Sequence, residues 1–341
     1  MKRMNQFLQT CVDGKTLTAV EAEALMNMMM TAEMTASEMG GILSILAHRG
    51  ETAEELAGFV KAMRTHALTV DGLSDVVDTC GTGGDGISTF NISTASAIVA
   101  SAAGAKIAKH GNRSVSSKSG SADVLEELGI PIQTTPEEVR VSIETNNMGF
   151  LFAPLYHSSM KHVAGTRKEL GFRTIFNLLG PLSNPLQAKR QVIGVYSAEK
   201  AGLMASALEM FQPKHVLFAA SRDGLDELSV TSPTDVIEIK DGERREYTVS
   251  PEDFGFKNGR LEDIQVQSPT ESAHLIQNIF ENKSSRSALY ITAFNAGAAI
   301  YTAGIAETLK EGTELALETI TSGGAAAQLD RLKQKEEEIY A

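Results

Sequence analysis

The sequence predicts an α/β protein, in which a small N-terminal helical domain precedes a larger domain with a mainly parallel central sheet covered by helices. Three observations predict it. Capping boxes of the form S/T-x-x-E recur at Thr18/Glu21, Thr35/Glu38 and Thr52/Glu55. From about residue 71 onward, apolar runs of strand length alternate with helical runs. Between the first such run and the helix after it lies a loop crowded with glycine, DTCGTGGDGISTFNIST at 78–94.

The elements follow in order. The capping boxes start three short helices within residues 1–70. Met26, Met28, Met29, Met30, Met34 and Met39 are too many for one narrow helical stripe, so most fill a core and some face another helix layer or a second subunit. Strands are expected at DVVDTC, AKIAKHG, GFLFAP, QVIGVYS and HVLFAAS, and an Asp241-Gly242 turn folds DVIEIKDGERREYTV into a β-hairpin. Residues 286–341 return to helix. The expected division is 1–70 helical and 71–341 α/β.

The glycine loop reads as a phosphate cradle. Glycine lets the backbone take positive φ and approach a ligand closely, and successive bare N–H groups ahead of a helix make an anion-binding nest. GTGGDG also matches the dinucleotide fingerprint, which asks for an acid at the end of the second strand. That strand ends instead in Lys109, His110 and Gly111, and a Walker A lysine is absent because Ile87 follows Gly86. A dinucleotide carrying a 2′-phosphate stays open on the basic strand end. One strand away, KHGNRSVSSKSGSAD sets Lys109, Arg113 and Lys118 among serines, a mixture that hydrogen-bonds phosphate oxygens. On its own such a run would be a solvated loop.

Net charge of −12 over 341 residues argues against a nucleic-acid footprint, and a polyanion would have to be held by local nests, a few cations and metal. Cys11 and Cys80 are too few for a disulfide framework and fit a reducing, cytoplasmic compartment. The longest uncharged stretch, 86–105, is too polar for a membrane span. Asp226 and Glu227 in DGLDELS are adjacent acids, readable as a solvated loop or as ligands for a hard cation.

These motifs, with FLFAPLYHSSM at 150–160 and RKELGFRTIFNLLGPLSNP at 167–185, resemble the anthranilate phosphoribosyltransferases over nearly the whole chain. Ser158-Ser159 and Gly165-Thr166 depart from the Pro-Ala and Pro-Val common there. The resemblance implies transfer of a 5-phosphoribosyl group from phosphoribosyl pyrophosphate (PRPP) to the amine of anthranilate, in tryptophan biosynthesis. It implies a homodimer joined through the helical domain, and it assigns a later excursion around 166–185 to that domain.

By motif position it implies that Gly81, Gly84, Asp85, Thr89, Asn91, Ile92, Ser93 and Thr94 hold PRPP. Lys109, His110, Gly111, Asn112, Arg113, Ser114, Val115, Ser116, Ser117 and Ser121 join them from the facing loop. Asp85 reads equally well as a cap on the following helix. Anthranilate would meet Gly81, Asn112, Arg167 and Gly180, with Arg167 binding the carboxylate bidentately. Mg²⁺ would be held by Ser93 and by Asp226 and Glu227, two ions per subunit, since oxygen donors without clustered Cys or His suit Mg²⁺. His110 and His157 are the titratable groups expected near the amine, although a lone histidine is more often structural. No membrane or nucleic-acid partner is expected. A nucleoside phosphorylase and a catalytically silent nucleic-acid-binding paralogue are the alternatives, separated by phosphate-dependent base release and by salt-sensitive DNA binding.

Overall fold

The computed structural model describes residues 2–114, 118–257 and 259–334. Four helices open the chain: α1 (Lys2–Val12), α2 (Ala19–Met30), α3 (Ala36–Arg49) and α4 (Ala53–His66). The last three start at the expected capping boxes, with both reciprocal hydrogen bonds formed at Thr18, Thr35 and Thr52. Such a cap is worth about 1 kcal/mol each. The expectation of three helices missed α1, which has no acid in its first turn to announce it. Glu55 does more than cap α4. Fully buried, it also accepts from Leu17 N at 2.9 Å and pairs with Arg49, tying the α1–α2 loop to α3 and α4.

The strands are β1 (Val77–Thr79), β2 (Ile107–Gly111), β3 (Met148–Phe152), β4 (Arg190–Gly194), β5 (His215–Ser221), β6 (Thr234–Lys240) and β7 (Glu243–Val249). They form one sheet in the order β3-β2-β1-β4-β5-β6-β7. β3 to β5 run parallel, and β6 and β7 are the expected hairpin, antiparallel at one edge. Asp241 and Gly242 turn it with φ of 50° and 86°, the left-handed pair that a two-residue hairpin turn requires.

Further helices are α5 (Ile92–Ala102), α6 (Ser121–Glu127), α7 (Pro136–Asn146), α8 (Ala153–Tyr156), α9 (Lys161–Leu170), α10 (Phe176–Leu182), α11 (Ala198–Glu209), α12 (Pro269–Phe280), α13 (Arg286–Ala303), α14 (Leu309–Thr321) and α15 (Gly324–Lys333). The helical return after 286 thus breaks at Gly304 and Gly323, and residues 335–341 lie outside the described residues.

Alternation along the strands splits the core. Val192, Leu217, Ala219 and Val236 face α5 and α13 to α15. Ile193, Val216, Phe218, Ala220 and Ile237 share a second core with the buried methionines Met26, Met29, Met30, Met34 and Met39. The methionines therefore serve packing in this chain, Met28 lying partly buried at the edge of the same core. In the same layer α9 packs on α2 and α3, and α10 packs on α4 and α11. No helix among the described residues is long and apolar enough to cross a membrane.

Candidate active site

In the order β3-β2-β1-β4-β5 the chain progresses to one side of β1 and then returns to its other side at β4, so the switch point lies between β1 and β4. Open α/β sheets bind ligands outside the carboxyl ends of the strands at such a point. The glycine loop leaves β1 there. Thr82 N donates to Gly194 O at 2.8 Å, and a Cβ on Gly194 would lie 1.6 Å from the Asp226 carbonyl oxygen. Only glycine at the end of β4 lets the Asp226 segment come so close. Gly83, Gly84 and Gly86 all take positive φ, as a nest of amides needs.

Three carboxylates meet at this loop. Asp226 accepts from Gly83 N at 2.7 Å and feels the charge of Asp85, while Glu227 feels both of them. Desolvation first, and then mutual repulsion, raises Asp226 to about 8 and Glu227 well above the ordinary carboxylate range. Lys109 is the cation that opposes this at Glu227. Crowded hard oxygens short of positive charge are a donor set that fits a divalent cation such as Mg²⁺. Asp85 accepts from Ile87 N at 3.1 Å within the loop, so it does not cap the following helix, whose N-cap is Asn91.

Behind the loop, Asn91 caps α5 by accepting from Thr94 N at 3.0 Å, and its amide donates to Ser119 O at 2.8 Å. The glycine loop is thereby tied to the serine-rich loop. Lys109 is buried; its Nζ donates to Thr79 O at 2.7 Å and to Ser93 Oγ at 3.1 Å, and burial lowers its pKa. Ile92 and Thr94 are buried in the first turn of α5, and Thr89 bridges to Gln265 at the rim. Gly111 passes Ser121 so closely that a Cβ would lie 2.2 Å from its Oγ. Ser121 Oγ donates to Asn112 O at 3.2 Å, and Asn112 is exposed.

Arg113 turns away from the cradle, pairing with Asp123 at 2.9 Å and with Glu126 at 2.5 Å. Ser114 N donates to Asp123 as well, so the start of the serine loop is held on the first turns of α6. Val115, Ser116 and Ser117 lie outside the described residues.

The second half of the site is built on α9 and α10. Arg167 is partly buried, lies over the Phe176 ring at 5.0 Å, and has no carboxylate partner among the described residues. Desolvation lowers its pKa. Phe176 and Gly180 are one turn apart on α10 and so share a face. A Cβ on Gly180 would meet nothing within 4 Å, so open space lies beside it. His110 Nδ1 is 3.2 Å from Gly180 O. A carbonyl only accepts, so Nδ1 carries the proton and the buried Nε2, which has no partner among the described residues, offers a lone pair.

His157 lies beside it, ring centroids 5.2 Å apart. Burial first, and then the neighbouring His157, pushes His110 down to about 3; burial pushes His157 down to about 4. Both are neutral at physiological pH. Because their folded pKa values are depressed, the unfolded chain binds more protons, and stability falls as pH drops from about 6.5 toward these values. With Mg²⁺ saturating at every pH, turnover is expected to show no histidine inflection between about pH 6 and 8, which a kcat/KM profile under those conditions checks.

Sequence reading missed Asp78 and Asn184. Asp78 accepts from His110 N at 3.0 Å and from Asn184 Nδ2 at 2.8 Å, fixing β2 to the segment after α10. No local pattern announces a bond spanning 106 residues. The ligand atoms of Asp78, Cys80 and His110 lie within 4.8 Å, but Asp78 is already hydrogen-bonded and burial keeps Cys80 a thiol. That cluster is structural.

The helical bundle domain of a glycosyl transferase family matches residues 5–67, and the a/b domain of such a family matches residues 73–326. An anthranilate phosphoribosyltransferase of Bacillus subtilis is 90% identical over 338 residues, covering 99% of this chain and 100% of the relative. The chain belongs to the anthranilate phosphoribosyltransferase family.

Solved anthranilate phosphoribosyltransferases share the whole architecture. The Thermus thermophilus enzyme superposes with a TM-score of 0.88 at 39% identity, covering 96% of this chain and 98% of that one. The Saccharomyces cerevisiae enzyme, solved in complex with PRPP and Mg, gives 0.85 at 27% identity and 96% coverage of both chains. The same yeast enzyme has been solved with 4-fluoroanthranilate.

Proposed function

We infer that this chain transfers the 5-phosphoribosyl group of PRPP to the amine of anthranilate, releasing pyrophosphate, as its family membership gives for tryptophan biosynthesis. The observation that carries the site assignment is the pairing of a glycine cradle and its carboxylates with an Arg167 guanidinium that has no carboxylate partner among the described residues, and with two neutral histidines.

In this reading the amides of the glycine loop, the N-terminus of α5 at Asn91 to Thr94, and Lys109 hold the diphosphate and ribose phosphate. Gly111, Asn112, Ser114 and Ser121 contact the donor, with Val115, Ser116 and Ser117 assigned to it by motif alone, and Arg113 joins them by leaving Asp123 and Glu126. Ser93 holds one Mg²⁺, and Asp226 with Glu227 holds a second. Bound Mg²⁺ supplies positive charge to the leaving diphosphate.

The C1′–O bond breaks as positive charge grows on the sugar, and the amine attacks from the opposite face with inversion. Arg167 fixes the anthranilate carboxylate, and the space beside Gly180 takes the ring. His110 Nε2 orients the amine by accepting an N–H. An aromatic amine is a competent nucleophile when neutral, so alignment rather than a strong base is what the protein provides.

The same reading divides the chain into 1–70 with 166–185 and 71–341, makes it a homodimer through the helical region, where Val12 and Val20 are exposed, and places it in the cytoplasm. Equilibrium dialysis tests the metal assignment. Two Mg²⁺ bound per subunit in the presence of PRPP are expected, and one would overturn the two-ion assignment.

A further inference from the structure

Arg173 belongs to none of the roles assigned above, yet it joins the two halves of the site. It follows Gly171, whose left-handed φ of 69° ends α9 and turns the chain back toward the sheet. Its guanidinium lies 4.3 Å from the centroid of the Tyr196 ring, two residues beyond β4, and Nη2 donates to the Gly84 carbonyl. A Cβ on Gly84 would lie 3.6 Å from that nitrogen, so the guanidinium faces the loop backbone itself. Among the described residues Arg173 has no carboxylate partner at ion-pair distance, and the loop carbonyl is its polar contact.

The glycine loop has little else to hold its middle. Thr82 N is fixed on Gly194, Gly83 N on Asp226 and Ile87 N on Asp85, while Gly84 has no side chain and a φ of 78°. Glycine at such a position is free to change conformation. The peptide joining Gly84 to Asp85 is planar and trans, so its C=O and N–H point to opposite sides. Holding the carbonyl on Arg173 therefore fixes which way the Asp85 N–H faces.

We propose that Arg173 is a positioning residue that sets the Gly84–Asp85 peptide for the diphosphate, and that it couples the acceptor segment carrying Arg167 to the donor loop. The inference rests on the PRPP reading of the glycine loop. Because Arg167 and Arg173 stand at the two ends of one short segment, a shift of α9 on binding the acceptor reaches the donor loop through this contact.

Arg173→Ala is expected to raise KM for PRPP about tenfold, the size of one hydrogen bond involving a charged group. It also brings the factor by which PRPP tightens anthranilate binding close to one. Arg173→Lys, which keeps a donor, restores most of the PRPP affinity. The ratio of mutant to wild-type KM should not change with ionic strength; a ratio that shrinks in salt would make Arg173 a direct charge contact to phosphate and overturn the positioning role. A variant that only melts earlier, with KM for PRPP and the coupling factor unaltered, would overturn it too. Wild-type turnover in the same assay separates the two levels: its absence defeats the PRPP reading, whereas turnover in wild type with an indifferent variant defeats this inference alone.

Discussion

Replacing Asp226 and Glu227 together with Ala is expected to lower kcat/KM at limiting Mg²⁺ by about 10³-fold, the scale of removing a principal source of charge stabilisation from a leaving group. The expectation follows from the free protein's own electrostatics. Asp226 is held near 8 and Glu227 is raised as well, because desolvation and Asp85 oppose their charges. A divalent cation relieves that opposition and must displace protons to do so. Metal affinity should accordingly rise with pH through the neutral range and fall on acidification. In the double variant the Mg²⁺ dependence shifts to higher concentration and loses most of this pH sensitivity. Thermal stability should hold or improve, since the variant removes repelling carboxylates. An unchanged Mg²⁺ titration would show that the acids serve something other than the metal.

Arg167→Ala carries the second large effect, an increase of about 10²-fold in KM for anthranilate with KM for PRPP little altered, as for loss of a desolvated charge pair of about 2–5 kcal/mol. Arg167 is partly desolvated over Phe176 and has no carboxylate partner among the described residues, so its charge is unmatched until an anion arrives. Lysine at this position keeps the charge but loses the planar fork, and recovery should be partial. Steady-state kinetics with each substrate varied separately decides the matter. Equal KM values for anthranilate in variant and parent would contradict the assignment.

Most of the fold was legible because its signals are local. Buried strands such as HVLFAAS and the Asp241-Gly242 hairpin carry their pattern in a few consecutive residues. The capping boxes at Thr18, Thr35 and Thr52 placed three helix starts, while α1, lacking one, went unread. The site was legible only where its residues are contiguous. Gly83 to Gly86 announced a cradle, but that its amide meets Asp226, 143 residues away, is a product of the switch point between β1 and β4.

Arg113 shows the converse limit. Its neighbours in sequence suggest phosphate, and its neighbours in space are Asp123 and Glu126, brought in by the turn into α6. Arg173 was visible as a letter inside a motif; its bond to Gly84 was not, because it depends on how α9 ends at Gly171.

The central claim, that this cleft joins PRPP to anthranilate with the help of bound metal, is tested most directly by following anthranilate fluorescence with the purified protein, PRPP and Mg²⁺. The account predicts loss of anthranilate emission matched by an equal release of pyrophosphate and stopped by EDTA. Folded protein that leaves the emission unchanged, or consumes anthranilate without releasing pyrophosphate, would contradict it.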